Sequence, residues 1–494
     1  MSNHHYIACD LGAESGRVLL GTLDNDHISL EEIHRFPNGG VTVNDSLRWD
    51  IPRILTGLNT GVRKVASRKI PIAGLSCDSW GVDYVLFRGN GRIITPPYHY
   101  RDKRTDNGLE RAFDTVSADE IYAETGIQFM PINTLYQLHD DLLRRQSLLS
   151  AAELFLNIGD YFNLLFSGVA RAEQTLASTT QMYNPVKNGW SWKLIGRFGF
   201  PKSLFPEIVP SGTVLGPLLR ELAAQTHLAD VKVIAGCSHD TASAVGAIPA
   251  QGQNWAYLSS GTWSLLGIES PQAFINKKSR QLGFTNEVGF RGNVRFLKNI
   301  TGLWIIQECR RWWAREGTEH SYDELTAMAE KAEPLKSLVD PSDPSFMKPD
   351  EMPMRIVDYC RKTDQSIPST NGEIIRCVLE SLALLYRRTV DQIEEITQNK
   401  LKIIHIVGGG SKNGLLNQFA ADATGRDVVA GPVECTGIGN ILIQAIALEH
   451  IPSIEKAREI VRKSFPLLRY EPKGTNSWKR GLEKFSDLLS RRPG

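Results

Sequence analysis

The chain has 494 residues, too many for one ordinary core, so two or three domains are expected. Hydrophobic residues make up 41% and charged residues 22%, which excludes a disordered chain and fits a sizeable interior. Fifty-six basic residues against fifty-five acidic ones leave a net charge of +1, which excludes the broad basic field of a general nucleic-acid or membrane-surface binder and points to a small-molecule partner.

The N-terminal run to Asp10 lacks the basic start of a secretory leader, and no apolar stretch reaches the length of a membrane span, so a cytoplasmic location is expected. Short alternating strands are predicted at Tyr6 to Gly12, Arg17 to Leu23 and Ile28 to Phe36, joined by turns at Ala13 to Gly16 and Asp24 to Asp26. Apolar residues at helical spacing predict a helix from Trp49 to Ser67, followed by a strand from Ile72 to Cys77. Helices are expected at Leu135 to Gln146 and Ala151 to Phe166, the latter with Gly168 as C-cap. A buried strand, Val231 to Ala235, then leads through Ser238-His239-Asp240 into a helix from Thr241 to Ala247.

The segment 246–253 has linker composition, and a domain boundary is placed there. Beyond it the start of the chain repeats in outline: strand Trp255 to Leu258, turn Ser259-Ser260-Gly261-Thr262, strand Trp263 to Glu269. Duplication is the natural inference. A long helix from Glu373 to about Thr397 carries one apolar face, with a capping-box pattern at Thr370 and Glu373. Strand Leu401 to Val407, the triplet Gly408-Gly409-Gly410 and a helix from Leu415 to Thr424 follow. The Arg310 to Arg315 cluster, with Trp312 and Trp313, is read as an amphipathic helix rather than a nucleic-acid face. Seven cysteines, at 9, 77, 237, 309, 360, 377 and 435, have no CxxC spacing and fit reduced thiols; a Cys360–Cys377 disulfide cannot be derived from sequence.

The small-residue turns sit directly after apolar strands, where backbone N–H groups can converge on phosphate. In Asp10-Leu11-Gly12-Ala13-Glu14-Ser15-Gly16-Arg17 a carboxylate at a strand end could hold hydrated Mg²⁺, although hairpins containing Asp and Gly are common. The Gly408 to Gly410 turn lacks both the Lys-[Ser/Thr] of a P-loop and the GxGxxG of a dinucleotide fold. Asp240, between a strand end and a helix start, is placed either to cap that helix or to take the proton of an attacking hydroxyl.

Together with Trp80-Gly81-Val82-Asp83-Tyr84, Tyr100-Arg101-Asp102, Gly126-Ile127-Gln128-Phe129, Asn133-Thr134-Leu135-Tyr136-Gln137-Leu138, Ser238-His239-Asp240-Thr241-Ala242-Ser243 and Leu297-Lys298-Asn299-Ile300, these segments resemble the FGGY carbohydrate kinases over nearly the whole chain. The resemblance implies an α/β fold of two duplicated ribonuclease-H-like domains, of the actin and hexokinase type, with an interdomain cleft. Residues 1–248 would form the sugar domain, 249–470 the ATP domain and 471–494 a tail. It further implies ATP and Mg²⁺ as co-substrates, a small ketose as acceptor, and a monomer or homodimer without nucleic-acid or membrane partners. The implied ketose is L-rhamnulose, phosphorylated at its 1-hydroxyl. L-fuculose, a pentulose, or a sugar-independent ATPase role are the alternatives.

Residue by residue, the resemblance makes Asp240 the base, sets the sugar against Gly81, His239, Asp240, Thr241 and Asn299, and assigns ATP to Ala13, Glu14, Ser15, Gly16, Arg17, Thr262, Gln307 and Gly409, with Asp10 near the metal. Asp83 and Trp80 are further candidates for the sugar pocket, and Phe129 or Trp304 for an apolar wall. Two departures from the family pattern, Gly159 and the run Cys435 to Asn440, are expected to lie away from the sugar contacts.

Overall fold

The computed structural model describes residues 3–89, 91–226 and 228–490. It divides into two compact units: Met1–Pro249 with Glu269–Phe296 and Glu434–Phe465, and Ala250–Ile268 with Leu297–Val433 and Pro466–Gly494.

In the first unit, β1 (His4–Leu11), β2 (Ser15–Asp24) and β3 (His27–Pro37) form the expected antiparallel meander. β4 (Ile72–Ser79) lies parallel to β1, β6 (Lys232–Ala235) parallel to β4, and β5 (Thr213–Pro217) antiparallel to β6 at the edge, giving the order β5-β6-β4-β1-β2-β3. The sheet buries Ile7, Cys9, Leu11 and Val18 together with Ile54, Leu58, Val62 and Val65 of helix Ile51–Ala66. Pro52 in that helix's first turn needs no N–H partner, and the Asp50 side chain accepts from Arg53 N at 3.1 Å, so the start expected near Trp49 is well specified.

The second unit repeats the plan. β7 (Trp255–Ser260) pairs antiparallel with β8 (Trp263–Ser270) and parallel with β10 (Ile403–Val407), β9 (Val294–Thr301) lies beside β8, and β11 (Asp427–Ala430) and β12 (Leu468–Tyr470) follow β10. In each unit a hairpin's first strand runs parallel to a strand that arrives after a helical excursion, so strand order β3-β2-β1-β4-β6 matches β9-β8-β7-β10-β11. This is the ribonuclease-H-like core, present twice.

The first compact unit takes in Glu434–Phe465 from beyond the linker, because helix Cys435–Ala447 packs on the first sheet: Gln444 Nε2 donates to Ile7 O at 3.0 Å, and a Cβ at Gly437 would overlap Leu19. Two expectations need correction. Residues Thr475–Ser490, within the expected tail, form a helix of the second unit with Phe485 buried and Trp478 against Phe419, ring centroids 5.2 Å apart; residues 491–494 lie outside the described residues. The helix expected from Ala151 to Phe166 begins only at Ile158, because Leu154–Asn157 forms a strand antiparallel to Tyr84–Arg88.

Helix Trp304–Arg315 buries Trp304, Ile305, Ile306, Cys309 and Trp313 on one face, as its amphipathic pattern implies. All seven cysteines, Cys360 and Cys377 included, are free and buried. Among the described residues no helix is long and apolar enough to cross a membrane.

Candidate active site

Asp10 stands near the C-terminal end of β1, 5% exposed, and is paired by sheet register with Arg17 on β2 and Asp78 on β4. The Arg17 guanidinium ion-pairs with Asp10 on one side and Glu434 on the other. The intervening turn is closed by Gly12 N donating to Ser15 O at 3.0 Å and is tied down by Asn38 Nδ2 donating to Gly12 O at 2.8 Å. Ala13 and Ser15 are partly exposed and Glu14 is exposed. Gly16 is required by packing, because a Cβ there would overlap the Phe36 ring.

Asp78 is fully buried. Asn440 Nδ2 donates to its Oδ2 at 2.5 Å, while Oδ1 has no hydrogen-bond partner among the described residues. Burial, and then the facing Asp10 carboxylate, raise Asp78 well above the usual carboxylate range.

Asp240 opens helix Asp240–Gly246 one residue past the N-cap, His239, so the capping role is only partial. Its Oδ1 accepts from Thr241 N at 2.5 Å and Thr241 Oγ1 at 3.0 Å, leaving Oδ2 without a hydrogen-bond partner among the described residues. The side chain keeps 29% of its surface exposed, and burial followed by the Asp10 charge pushes it up to about 7. His239 is the opposite case: burial, and then the Arg295 charge, hold it well below its ordinary value, so the ring is neutral. Arg295 Nη2 lies 3.3 Å from His239 Nδ1; arginine can only donate, so the imidazole proton is on Nε2. A Cβ at Gly81 would sit 3.2 Å from that Nε2 and 3.0 Å from Thr179 Oγ1, so Gly81, His239, Asp240 and Thr241 are gathered at one place.

Val82, between Gly81 and Asp83, has φ of 69°, a left-handed conformation that strains a β-branched residue. It is held by Asp83 N donating to Gly81 O at 2.9 Å and Thr134 Oγ1 donating to Val82 O at 2.6 Å. Asp83 does not face the site. Its Oδ2 accepts from Trp49 Nε1 at 2.6 Å, Trp80 Nε1 at 3.0 Å and Tyr100 N at 3.1 Å, and its Oδ1 from Gln137 Nε2 at 3.0 Å. Asp83 and Trp80 thus form a buried hub that fixes the turn. Phe129 packs edge-on to Phe113, centroids 5.3 Å apart, both partly buried against the first unit's core. Gly159 packs beneath the loop that leads to His239: its N donates to Ser79 Oγ at 2.9 Å, and a Cβ would stand 3.0 Å from Ser238 O. Proline there would lose the donor. In the other departing segment a Cβ at Gly439 would overlap the Ser243 backbone, a matter of helix packing.

In the second unit the turn between β7 and β8 brings Thr262 Oγ1 to 3.2 Å from Gln307 Oε1, while Thr262 O accepts from Gly302 N at 3.1 Å and Trp304 N at 3.2 Å. The glycine triplet follows β10, the parallel neighbour of β7. Gly408 has φ of 82°, which only glycine adopts readily, and a Cβ at Gly410 would overlap Ser260 Oγ, but a Cβ at Gly409 would meet nothing within 4 Å. Thr262, Gln307 and Gly409 therefore border two adjoining turns, with open space over Gly409. Asn299 is on β9 in this unit, partly exposed. Trp304 is 8% exposed, with Nε1 bonded to Phe346 O at 3.2 Å.

The oxygen-only set of Asp10 and the unpartnered Oδ1 of Asp78 fits a magnesium ion, which keeps most of its water and takes one or two carboxylates. Among the described residues no group of three or more His, Cys, Asp or Glu is arranged as an all-protein cage. Asp78 and Arg295 escaped the sequence reading. The available signal was a charge within an apolar alternation: Asp78 directly after Ile72 to Cys77, and Arg295 inside Val294–Thr301.

Two family models match, "FGGY family of carbohydrate kinases, N-terminal domain" over residues 5–246 and its C-terminal domain over residues 256–448. The rhamnulokinase of Bacteroides thetaiotaomicron is 40% identical over 487 residues, 98% of this chain and 99% of that protein. That of Oceanobacillus iheyensis is 42% identical over 464 residues, 94% and 97% of the two chains. That of Bacillus subtilis is 38% identical over 468 residues, 95% of each. Among solved structures, a gluconate kinase from Lactobacillus acidophilus superposes with a TM-score of 0.82 at 16% identity, covering 99% of this chain and 98% of that one. Plasmodium falciparum glycerol kinase with ADP gives 0.80 at 15%, with the same coverage. The repeated sheet order, the full-length curated relatives and the two adjoining family matches agree: this chain belongs to the FGGY family of carbohydrate kinases.

Proposed function

We propose that this protein is an ATP-dependent kinase that converts L-rhamnulose to L-rhamnulose 1-phosphate, with Asp240 as general base. The supporting observation is Asp240 itself: an upshifted carboxylate with a free Oδ2, beside neutral His239 and Gly81, in a chain 37–42% identical along nearly its whole length to rhamnulokinases. Asp240 Oδ2 takes the proton of the 1-hydroxyl as that oxygen attacks the γ-phosphorus of ATP, and ADP leaves. Neutral His239, with its proton on Nε2, donates a hydrogen bond to the sugar, as do Thr241 and, from the second unit, Asn299.

ATP is held by backbone N–H groups of residues 13–17 and, in the second unit, by Thr262, Gln307 and the open face of Gly409. Asp10, with Asp78 beside it, would hold Mg²⁺, whose charge offsets that of the triphosphate. The sugar site and first phosphate turn belong to residues 1–248 and the remaining ATP contacts to 249–470. A cytoplasmic location and a monomeric or dimeric state complete the reading.

The test is a panel of L-rhamnulose, L-fuculose and pentuloses in an ADP-coupled assay. L-rhamnulose is expected to give the highest kcat/KM. A higher value with another ketose reassigns the substrate, and ADP formation unaffected by every sugar overturns the kinase reading. Asp240→Asn is expected to lower kcat by about 10²–10⁴-fold while ATP affinity is retained.

A further inference from the structure

Glu173 lies at the end of a two-residue strand, Ala172–Glu173, and is fully buried. It caps helix Gln174–Thr179 by accepting from Thr175 N at 3.0 Å. A helix cap needs only that one bond. Glu173 makes three more: Oε2 also accepts from Thr175 Oγ1 and, at 3.0 Å, from Ser238 N, while Oε1 accepts from Ser211 Oγ at 2.8 Å. Thr175 Oγ1 in turn accepts from His239 N at 3.1 Å.

Two successive backbone N–H groups of the loop that leads to Asp240 are thus tied to Glu173, one directly and one through Thr175. The same loop is held from below, where Ser79 N donates to Ser238 O at 2.8 Å and Asn163 Nδ2 donates to Ser238 Oγ at 3.5 Å. The next stretch is closed by Ser243 Oγ donating to Cys237 O at 2.8 Å.

We propose that Glu173 is a positioning residue for phosphoryl transfer, fixing through Ser238 N and the Thr175 hydroxyl the loop that aims His239 and Asp240 at the acceptor sugar. The proposal rests on the reading of Asp240 as the base. The role is that of an acceptor in a fixed place rather than of a charge. All three partners of Oε2 are donors, and the one partner of Oε1 is a hydroxyl that can either give or accept. A neutral group of the same shape satisfies this geometry, in keeping with burial raising the Glu173 carboxyl to about 7. Glutamine fits: its oxygen takes the place of Oε2, and its amide N–H meets the second lone pair of Ser211 Oγ. Alanine removes all four bonds and releases the loop.

The test compares Glu173→Ala, Glu173→Gln, Thr175→Val and Thr175→Ser in the full chain, each checked by thermal melting and assayed for kcat and for the KM of ATP and sugar. Displacing a catalytic group by an ångström costs on the order of 10²-fold. Glu173→Ala is therefore expected to lower kcat by roughly 30–100-fold with the KM for ATP within about threefold of wild type. Glu173→Gln should stay within about threefold in kcat. Equal loss in the Gln and Ala variants, or a folded Ala variant with wild-type kcat, overturns the proposal. Should Glu173→Ala fail to fold, the Thr175 pair decides. A fall in kcat of about 5–10-fold in Thr175→Val that Thr175→Ser restores supports the proposal, and wild-type kcat in Thr175→Val overturns it. Asp240→Asn is run alongside: wild-type activity in that variant sinks the base assignment, whereas an inactive Asp240→Asn beside a fully active Glu173→Ala sinks only the role of Glu173.

Discussion

Asp240 has one oxygen engaged by Thr241 and the other without a hydrogen-bond partner among the described residues, and its neighbour Asp10 carries like charge. Its folded-state pKa is raised, so it binds its proton as pH falls through about 7, and a base must be without that proton to act. A bound cation would draw the midpoint down, never up. The acidic limb of kcat/KM for the sugar is therefore expected between about pH 5.5 and 7, and a rate flat down to about pH 5 would contradict the upshift. At Val82 the strained turn carries roughly 1–3 kcal/mol. Val82→Gly relieves it at a chain-entropy cost of about 0.5–1 kcal/mol, so the melting temperature should hold or rise while the KM for the ketose rises several-fold as the turn loosens. Unchanged KM would mean that the strain has no bearing on the site.

Among the turns, the three successive glycines of 408–410 serve different ends. Gly410→Ala drives a methyl group into Ser260 Oγ and should lower the melting temperature, whereas Gly409→Ala adds one over open space and should leave stability intact while raising the KM for ATP. Melting curves and ATP kinetics on the two variants separate these effects. This distinction was invisible in the sequence, where Gly-Gly-Gly is one motif; it depends on β10 lying beside β7. The hairpins β1–β2 and β7–β8 were legible because alternation and turn residues act between chain neighbours. Leu154–Asn157 was not, because a short buried strand and a stretch of buried helix share the same run of apolar residues until a distant partner, here Tyr84–Arg88, decides between them. The functions of Asp78, Glu173 and Arg295 were hidden likewise: each is set by a partner far along the chain, Asp10 for the first, Ser238 for the second and His239 for the third.

At the scale of the molecule, duplication was readable from the repeated strand–turn–strand, while the return of Glu434–Phe465 to the first unit was not, since nothing local announces which sheet a helix will cover. A fragment ending at residue 249 lacks helix Cys435–Ala447, leaving Leu19 and the Asp78 carboxylate without their partners. It is expected to bind a hydrophobic dye and to lack a near-ultraviolet circular dichroism signal, whereas the full chain shows the signal and not the dye binding. A fragment with native spectra would show that the first sheet needs no such cover.

That helix also orders events on the ribosome. β1 is made about 400 residues before the piece that closes over it. At ordinary elongation speeds the nascent chain then carries an uncovered greasy sheet for on the order of 20–90 seconds. Trigger-type chaperones should crowd onto it throughout that wait, and a circular permutant that begins at residue 434 should release them early.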